Sequence, residues 1–294
     1  MKHHALPAAR IVSAHGRHYV ARLADGREVQ AFPRGKKSDI ACGDRVLLDL
    51  QGEDQARIAE VLARTSLLYR KDMWKQKMVA ANVDRVVVVV ATEPSFSPEL
   101  VARILVACEA QQIEPLILLN KCDLTASLDA ARAALAPFVK LGYRVLEMSA
   151  HEGADALRPW LQARTSVLTG QSGMGKSTLV NALVPDARAA TREVSQALDS
   201  GKHTTTFARL YDLAGGGALI DSPGLQEFGL AQLDVGELEQ AFPDFRPHLG
   251  NCRFRDCAHD SEPGCGLRDH VSAERLALYR MLRQEILSAR APQY

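Results

Sequence analysis

A multidomain α/β fold is predicted for this chain on three observations. The loop Gly170-Gln171-Ser172-Gly173-Met174-Gly175-Lys176-Ser177-Thr178 fits a phosphate-cradling pattern, with an apolar strand before it and a helix after it. Strands alternate with helices from residue 84 up to that loop, the mark of a doubly wound sheet. Short strands with turn signals fill the front of the chain, while three cysteines and a histidine crowd the tail. The expected division is a barrel over 1–66, a linker over 67–80, a nucleotide domain over 81–230 and a metal-binding domain with a helix over 231–294.

Composition bounds the class. The chain has 294 residues, 47% of them hydrophobic and 24% charged, ordinary values for a soluble globular protein. The longest apolar run, Val86 to Ala91, falls far short of the roughly 18 residues a membrane span needs. The first residues lack the apolar core of a signal peptide, so a cytoplasmic protein is expected. Net charge is only +1, but residues 1–80 hold 15 Lys/Arg against 9 Asp/Glu, leaving 21 against 26 for the remainder. A basic front third suits a polyanionic partner, or is a solvated basic surface.

The barrel rests on five short strands: Arg10–Ser13, Arg17–Leu23, Glu28–Phe32, Arg45–Leu50 and Ala56–Leu62. Five strands in this length suit an OB-fold. Arg17, His18, Tyr19, Arg22, Arg34, Lys36 and Lys37 could supply charge and an aromatic platform for RNA, or be solvated. Arg70 to Lys77, basic and without clear periodicity, reads as the linker.

In the middle of the chain the valine run reads as a buried parallel strand, and Ser97-Pro98-Glu99 as a helix start. Helices are expected over Leu128–Leu141 and Leu157–Gln162, with strands at Glu114–Leu119 and Arg144–Met148. In the phosphate loop, backbone N–H groups should face phosphate oxygens, Lys176 the β- and γ-phosphates, and the Ser177 hydroxyl Mg²⁺. Asn120-Lys121-Cys122-Asp123 stands at a strand's carboxyl end, where such sheets bind ligands. The Asp123 carboxylate can accept from N1–H and the exocyclic amine of guanine, a donor pair adenine lacks. Asn120 and the Lys121 stem should brace the loop, and the Ser149-Ala150 backbone suits the guanine carbonyl. Asp221, in Asp221-Ser222-Pro223-Gly224, should hold Mg²⁺ through water, with the Gly224 N–H sensing the γ-phosphate. Gly201-Lys202-His203-Thr204-Thr205-Thr206 is a candidate first switch, Thr205 being the favoured magnesium ligand.

The tail reads C-x4-C-x-H-x5-C, with Cys252, Cys257, His259 and Cys265 as ligands. Three thiolates and an imidazole close a tetrahedral shell, which favours one structural Zn²⁺. Arg253 and Arg255 ride on the first loop, suited to phosphate contact or merely solvated, and Val271 to Ala289 reads as a helix.

These pieces resemble the translation-factor GTPases, except that the base-reading motifs precede the phosphate loop, as in a circularly permuted domain. Barrel, permuted order and cysteine spacing together resemble the circularly permuted ribosome small-subunit-dependent GTPases, the RsgA/YjeQ family. The resemblance covers nearly the whole chain. It implies OB, GTPase and zinc domains in series, and binding to the small ribosomal subunit and its rRNA. It also implies a role in late maturation of that subunit, with subunit-stimulated hydrolysis of GTP to GDP and phosphate driving release. A monomer without membrane contact is expected. Leu225 stands where small GTPases carry a water-positioning Gln, with Gln226 one place later. The resemblance implies that His203 approaches the attacking water, beside charge stabilisation by Lys176 and Mg²⁺.

Overall fold

The computed structural model describes residues 6–15, 18–35, 39–71, 76–184, 208–221, 230 and 232–290. Its first five strands are β1 (Ala8–His15), β2 (His18–Leu23), β3 (Glu28–Pro33), β4 (Arg45–Leu50) and β5 (Gln55–Val61). They pair in the order β1-β2-β3-β5-β4, and β1–β4 pairing closes the barrel. Alternation along each strand drives this: Ile11, Tyr19, Ala21, Val29, Ala31, Val46, Leu48 and Ile58 all point inward and are buried. Tyr19 is therefore a core residue and offers no aromatic platform. Arg22 is also engaged, bonded to Glu28 and Asp212. At the barrel's base the buried Asp44 carboxylate takes both Arg64 Nε and Nη2 at 2.7 Å, and the Ala41 N–H at 2.8 Å. A buried charge held this way is paired and hydrogen-bonded on both oxygens.

The stretch expected as a linker is in fact a hairpin, β6 (Leu67–Lys71) with β7 (Gln76–Ala81). Its basic centre carries no periodic signal, but its ends do the anchoring: Leu68, Ala80 and Ala81 are buried.

Beyond it run β8 (Arg85–Ala91), α1 (Pro98–Ala110), β9 (Glu114–Asn120), α2 (Leu128–Lys140) and β10 (Val145–Glu147). Then come α3 (Arg158–Leu161), β11 (Thr165–Thr169), α4 (Lys176–Leu183), β12 (Ala208–Asp212) and β13 (Ala218–Asp221). Strands β10, β9, β8, β11 and β13 lie parallel in that order, so Asn120, Ala91, Thr169 and Asp221 end on one edge of the sheet. The valine run supplies the centre: Val86 to Val89 are fully buried, with helices on both faces. Strand β12, which the sequence did not announce, lies antiparallel to β13 and also pairs with β1 through Ser13↔Arg209 and Ala14↔Ala208. Barrel and nucleotide domain thus share one eleven-stranded sheet.

Helices α5 (Val235–Gln240) and α6 (Ala273–Arg290) build the tail. Asp234 and Glu237 form a capping box that fixes the start of α5. Phe242, Phe245 and Tyr279 are fully buried between them, with rings 4.6 to 5.8 Å apart. The tail packs on α1, where Arg103 meets Glu285 at 2.9 Å and Arg246 meets Glu109 at 2.6 Å. Among the described residues no helix is long and apolar enough to cross a membrane.

Candidate nucleotide site and metal centre

The phosphate loop leaves β11 and turns into α4 through three glycines in the left-handed region. Gly170, at φ +140°, passes so close to β8 that an added Cβ would lie 2.1 Å from the Val89 carbonyl oxygen. Gly175, at φ +89°, is the N-cap of α4, and its Cβ would lie 2.3 Å from Asn120 Nδ2. Only glycine fits either place. Met174 turns its side chain into the core, so it can offer a nucleotide only its backbone. Ser172 and Ser177 are exposed. Lys176 Nζ donates to the Gly170 oxygen at 2.6 Å and the Gln171 oxygen at 2.5 Å.

The second loop is fastened to the first. Asn120, buried, donates from Nδ2 to the Met174 oxygen at 2.9 Å and accepts on Oδ1 from the Ala150 N–H at 2.9 Å. One amide thus fixes the spacing of the phosphate loop, the Asn120–Asp123 turn and the Ser149–Ala150 turn. Lys121, at φ +60°, sends its ammonium to the Glu93 carbonyl at 2.8 Å. Cys122 turns its thiol back to the Leu119 carbonyl at 3.2 Å. Asp123 is exposed and faces solvent. The buried Ser149 hydroxyl meets no partner at full hydrogen-bond geometry, yet it lies close enough to hold the Asp123 carboxyl below its ordinary range. That carboxylate is ionised at neutral pH and acts as an acceptor only.

Asp221 closes β13, its Cα beside Leu168 of β11. Burial raises its pKa and Lys176 draws it back; burial lowers Lys176 and Asp221 counters that. A carboxylate and hydroxyls by a phosphate loop are hard oxygen donors, the set that suits Mg²⁺. Gly201 to Thr206 (His203 and Thr205 included), Gly224 to Gln226, Arg17, Lys36 and Lys37 lie outside the described residues. Arg34, Arg253 and Arg255 are exposed, and Arg253 sits 5.6 Å over the Phe254 ring.

In the tail, one ligand atom from each of Cys252, Cys257, His259 and Cys265 comes within 4.8 Å of every other. His259 Nδ1 lies 3.5 Å from Cys252 Sγ and 3.4 Å from Cys265 Sγ. Its Nε2 lies 3.4 Å from Glu239 Oε1, which also accepts from the Tyr279 hydroxyl at 2.9 Å. A carboxylate behind a ligating imidazole fixes the tautomer and the ring. No sequence spacing announces Glu239, which comes from α5, twenty residues upstream. Burial would raise the Cys265 thiol, but bonds from His259 and the Leu267 and Arg268 backbone bring it down to about 7. Glu262 ties the loop by accepting from the Ala258 and Asp260 N–H groups, each at 2.9 Å. Three soft thiolates and an imidazole in a closed set can hold a metal ion.

An alanine at Gly175 tests the interlock. Gly175→Ala should weaken GTP binding at least about tenfold, since a strained φ costs about 1–3 kcal/mol and Asn120, bonded at both ends, cannot retreat. Titration with a fluorescent guanine nucleotide reads this directly; unchanged affinity would mean the contact is soft.

Comparison with known proteins gives the family. A family model described as RsgA GTPase matches residues 61–231. A "Small ribosomal subunit biogenesis GTPase RsgA" from Burkholderia pseudomallei is 53% identical over 286 residues, covering 94% of this chain and 91% of the relative. Its namesake from Paraburkholderia phytofirmans is 53% identical over 290 residues, covering 94% and 92%. The crystal structure of YjeQ from Thermotoga maritima superposes with a TM-score of 0.71 at 28% identity, covering 96% of this chain and 98% of that one. YloQ, titled a circularly permuted GTPase, gives 0.68 at 28% identity, covering 100% and 99%. With the Asn120–Asp123 turn ahead of the Gly170–Thr178 loop in one parallel sheet, and relatives matched along nearly all its length, this GTP hydrolase belongs to the RsgA GTPase family.

Proposed function

We propose that this GTPase acts on the small ribosomal subunit, in the biogenesis role for which its relatives are named, and leaves the subunit when GTP is spent. The observation that carries the reading is the match to those relatives over 94% of the chain. Guanine selection falls to Asp123, with Asn120 holding the loop and Ser149–Ala150 meeting the base carbonyl. The backbone of Gly170 to Thr178 cradles the phosphates. Lys176 exchanges the Gly170 and Gln171 carbonyls for phosphate oxygens, placing positive charge where the transferred phosphoryl gathers negative charge. Ser177, Thr205 and Asp221 would hold Mg²⁺, which would neutralise charge on the bound triphosphate. Gly224 senses the γ-phosphate, and His203 orients the attacking water. One structural Zn²⁺ would sit among Cys252, Cys257, His259 and Cys265. Arg17, Arg34, Lys36, Lys37, Arg253 and Arg255 meet rRNA phosphates, and the protein works as a cytoplasmic monomer.

GTP turnover with and without purified small subunits tests the whole. Turnover should rise tenfold or more when subunits are added; a flat response would overturn the assignment. His203→Ala should remove about a hundredfold of the stimulated rate while GTP binding persists.

A further inference from the structure

Along β3 the outward positions are Glu28, Gln30 and Phe32, alternating with the buried Val29 and Ala31. Phe32 is 39% exposed at the far end of this row. A single exposed phenylalanine is ordinary on a protein surface, so its neighbours decide its meaning. On β2 the His18 ring stands edge-on to it, with centroids 6.4 Å apart and planes at 76°. On β5 its registered partner is Arg57, exposed, which in turn pairs with Asp49 of β4. The next outward pair is Gln30 with Gln55. No large apolar side chain of β5 is exposed beside it, so the ring does not belong to the desolvated cluster a protein hot spot needs. Arg34, also exposed, follows two residues beyond Phe32. Around this exposed ring stand an imidazole from β2 and, in register on β5, an exposed arginine.

We propose that Phe32, flanked by His18 and Arg57, is a stacking platform for one unpaired nucleobase of single-stranded RNA, with Arg57 and Arg34 reaching its phosphates. This rests on the RNA-binding reading above and names the chemistry that one face of the barrel recognises. The β2–β3 face is where five-stranded barrels of this topology receive oligonucleotides. A ring whose face is free offers stacking to any base, and adjacent cations hold the backbone. Bases inside a duplex are already stacked and cannot reach it.

The test uses the full chain and its Phe32→Leu and Phe32→Trp variants. The probes are a single-stranded oligouridylate of about 12 nucleotides, an abasic strand of equal length and charge, and a matching duplex. Phe32→Leu should weaken binding to the base-bearing strand by about tenfold, Phe32→Trp should restore it, and neither should alter binding to the abasic strand or duplex. Equal affinity of all three proteins for the oligouridylate would overturn the proposal. So would a Phe32→Leu loss shared by the abasic strand, or one seen only with intact subunits, which would point to a protein contact. Subunit-stimulated GTP turnover of the unaltered chain is measured alongside. Stimulation with unchanged oligonucleotide affinity rejects the platform and keeps the function, whereas no stimulation rejects the function whatever the oligonucleotides do. Because Phe32 lies on the outside, each variant should keep its fold, which unchanged abasic-strand binding and melting temperature check.

Discussion

Asp123→Asn should turn this enzyme from GTP toward xanthosine triphosphate. The Asp123 carboxylate is exposed and held in its charged form beside Ser149, so as an acceptor it would suit the two donors on guanine's edge. An asparagine keeps one acceptor oxygen but presents an amide N–H₂ to the guanine amine, donor against donor. GTP affinity should fall by on the order of a thousandfold, because polar groups are left facing each other unpaired. Xanthine carries a carbonyl in place of that amine and accepts from the new amide. Competition between the two triphosphates, read by hydrolysis with either one in excess, checks both halves. Retained preference for GTP would remove Asp123 from the base site.

Stripping metal from the tail should have the second large effect. Structural zinc in small domains contributes about 10–16 kcal/mol of apparent folding energy, and the loop from Cys252 to Cys265 has little core of its own. A strong chelator, or Cys265→Ser, should open this loop to protease and lower the melting temperature. Refolding should follow stoichiometric zinc. Analysis of bound metal should give one zinc per chain, and another metal there would correct the identity. Protection that survives chelation would mean Phe245, Leu267 and Tyr279 hold the loop unaided.

Much of this was legible because it is local. The Gly170–Thr178 loop, the Asn120–Asp123 turn and the cysteine spacing each fit within a few residues, and the valine run reads directly as a buried strand. What escaped was set by partners far away in the chain. Tyr19 and Phe32 are both aromatic residues on barrel strands, and only the pairing register decides that the first faces the core and the second the solvent. Glu239 reaches His259 through the packing of α5 against α6, which no spacing encodes. Strand β12, five residues long, alternates over only three of them, too few to mark it; its place comes from β1 and β13 on either side. The hairpin β6–β7 was hidden because charged residues at its centre outweighed the apolar ends.

Because β1 is hydrogen-bonded on one side to the barrel and on the other to β12, the front domain doubles as an edge guard. Removing residues 1–66 would uncover a row of backbone donors and acceptors along β12, a template on which further copies could add strand by strand. The nucleotide domain alone should therefore be prone to self-association, which the covering barrel strand prevents.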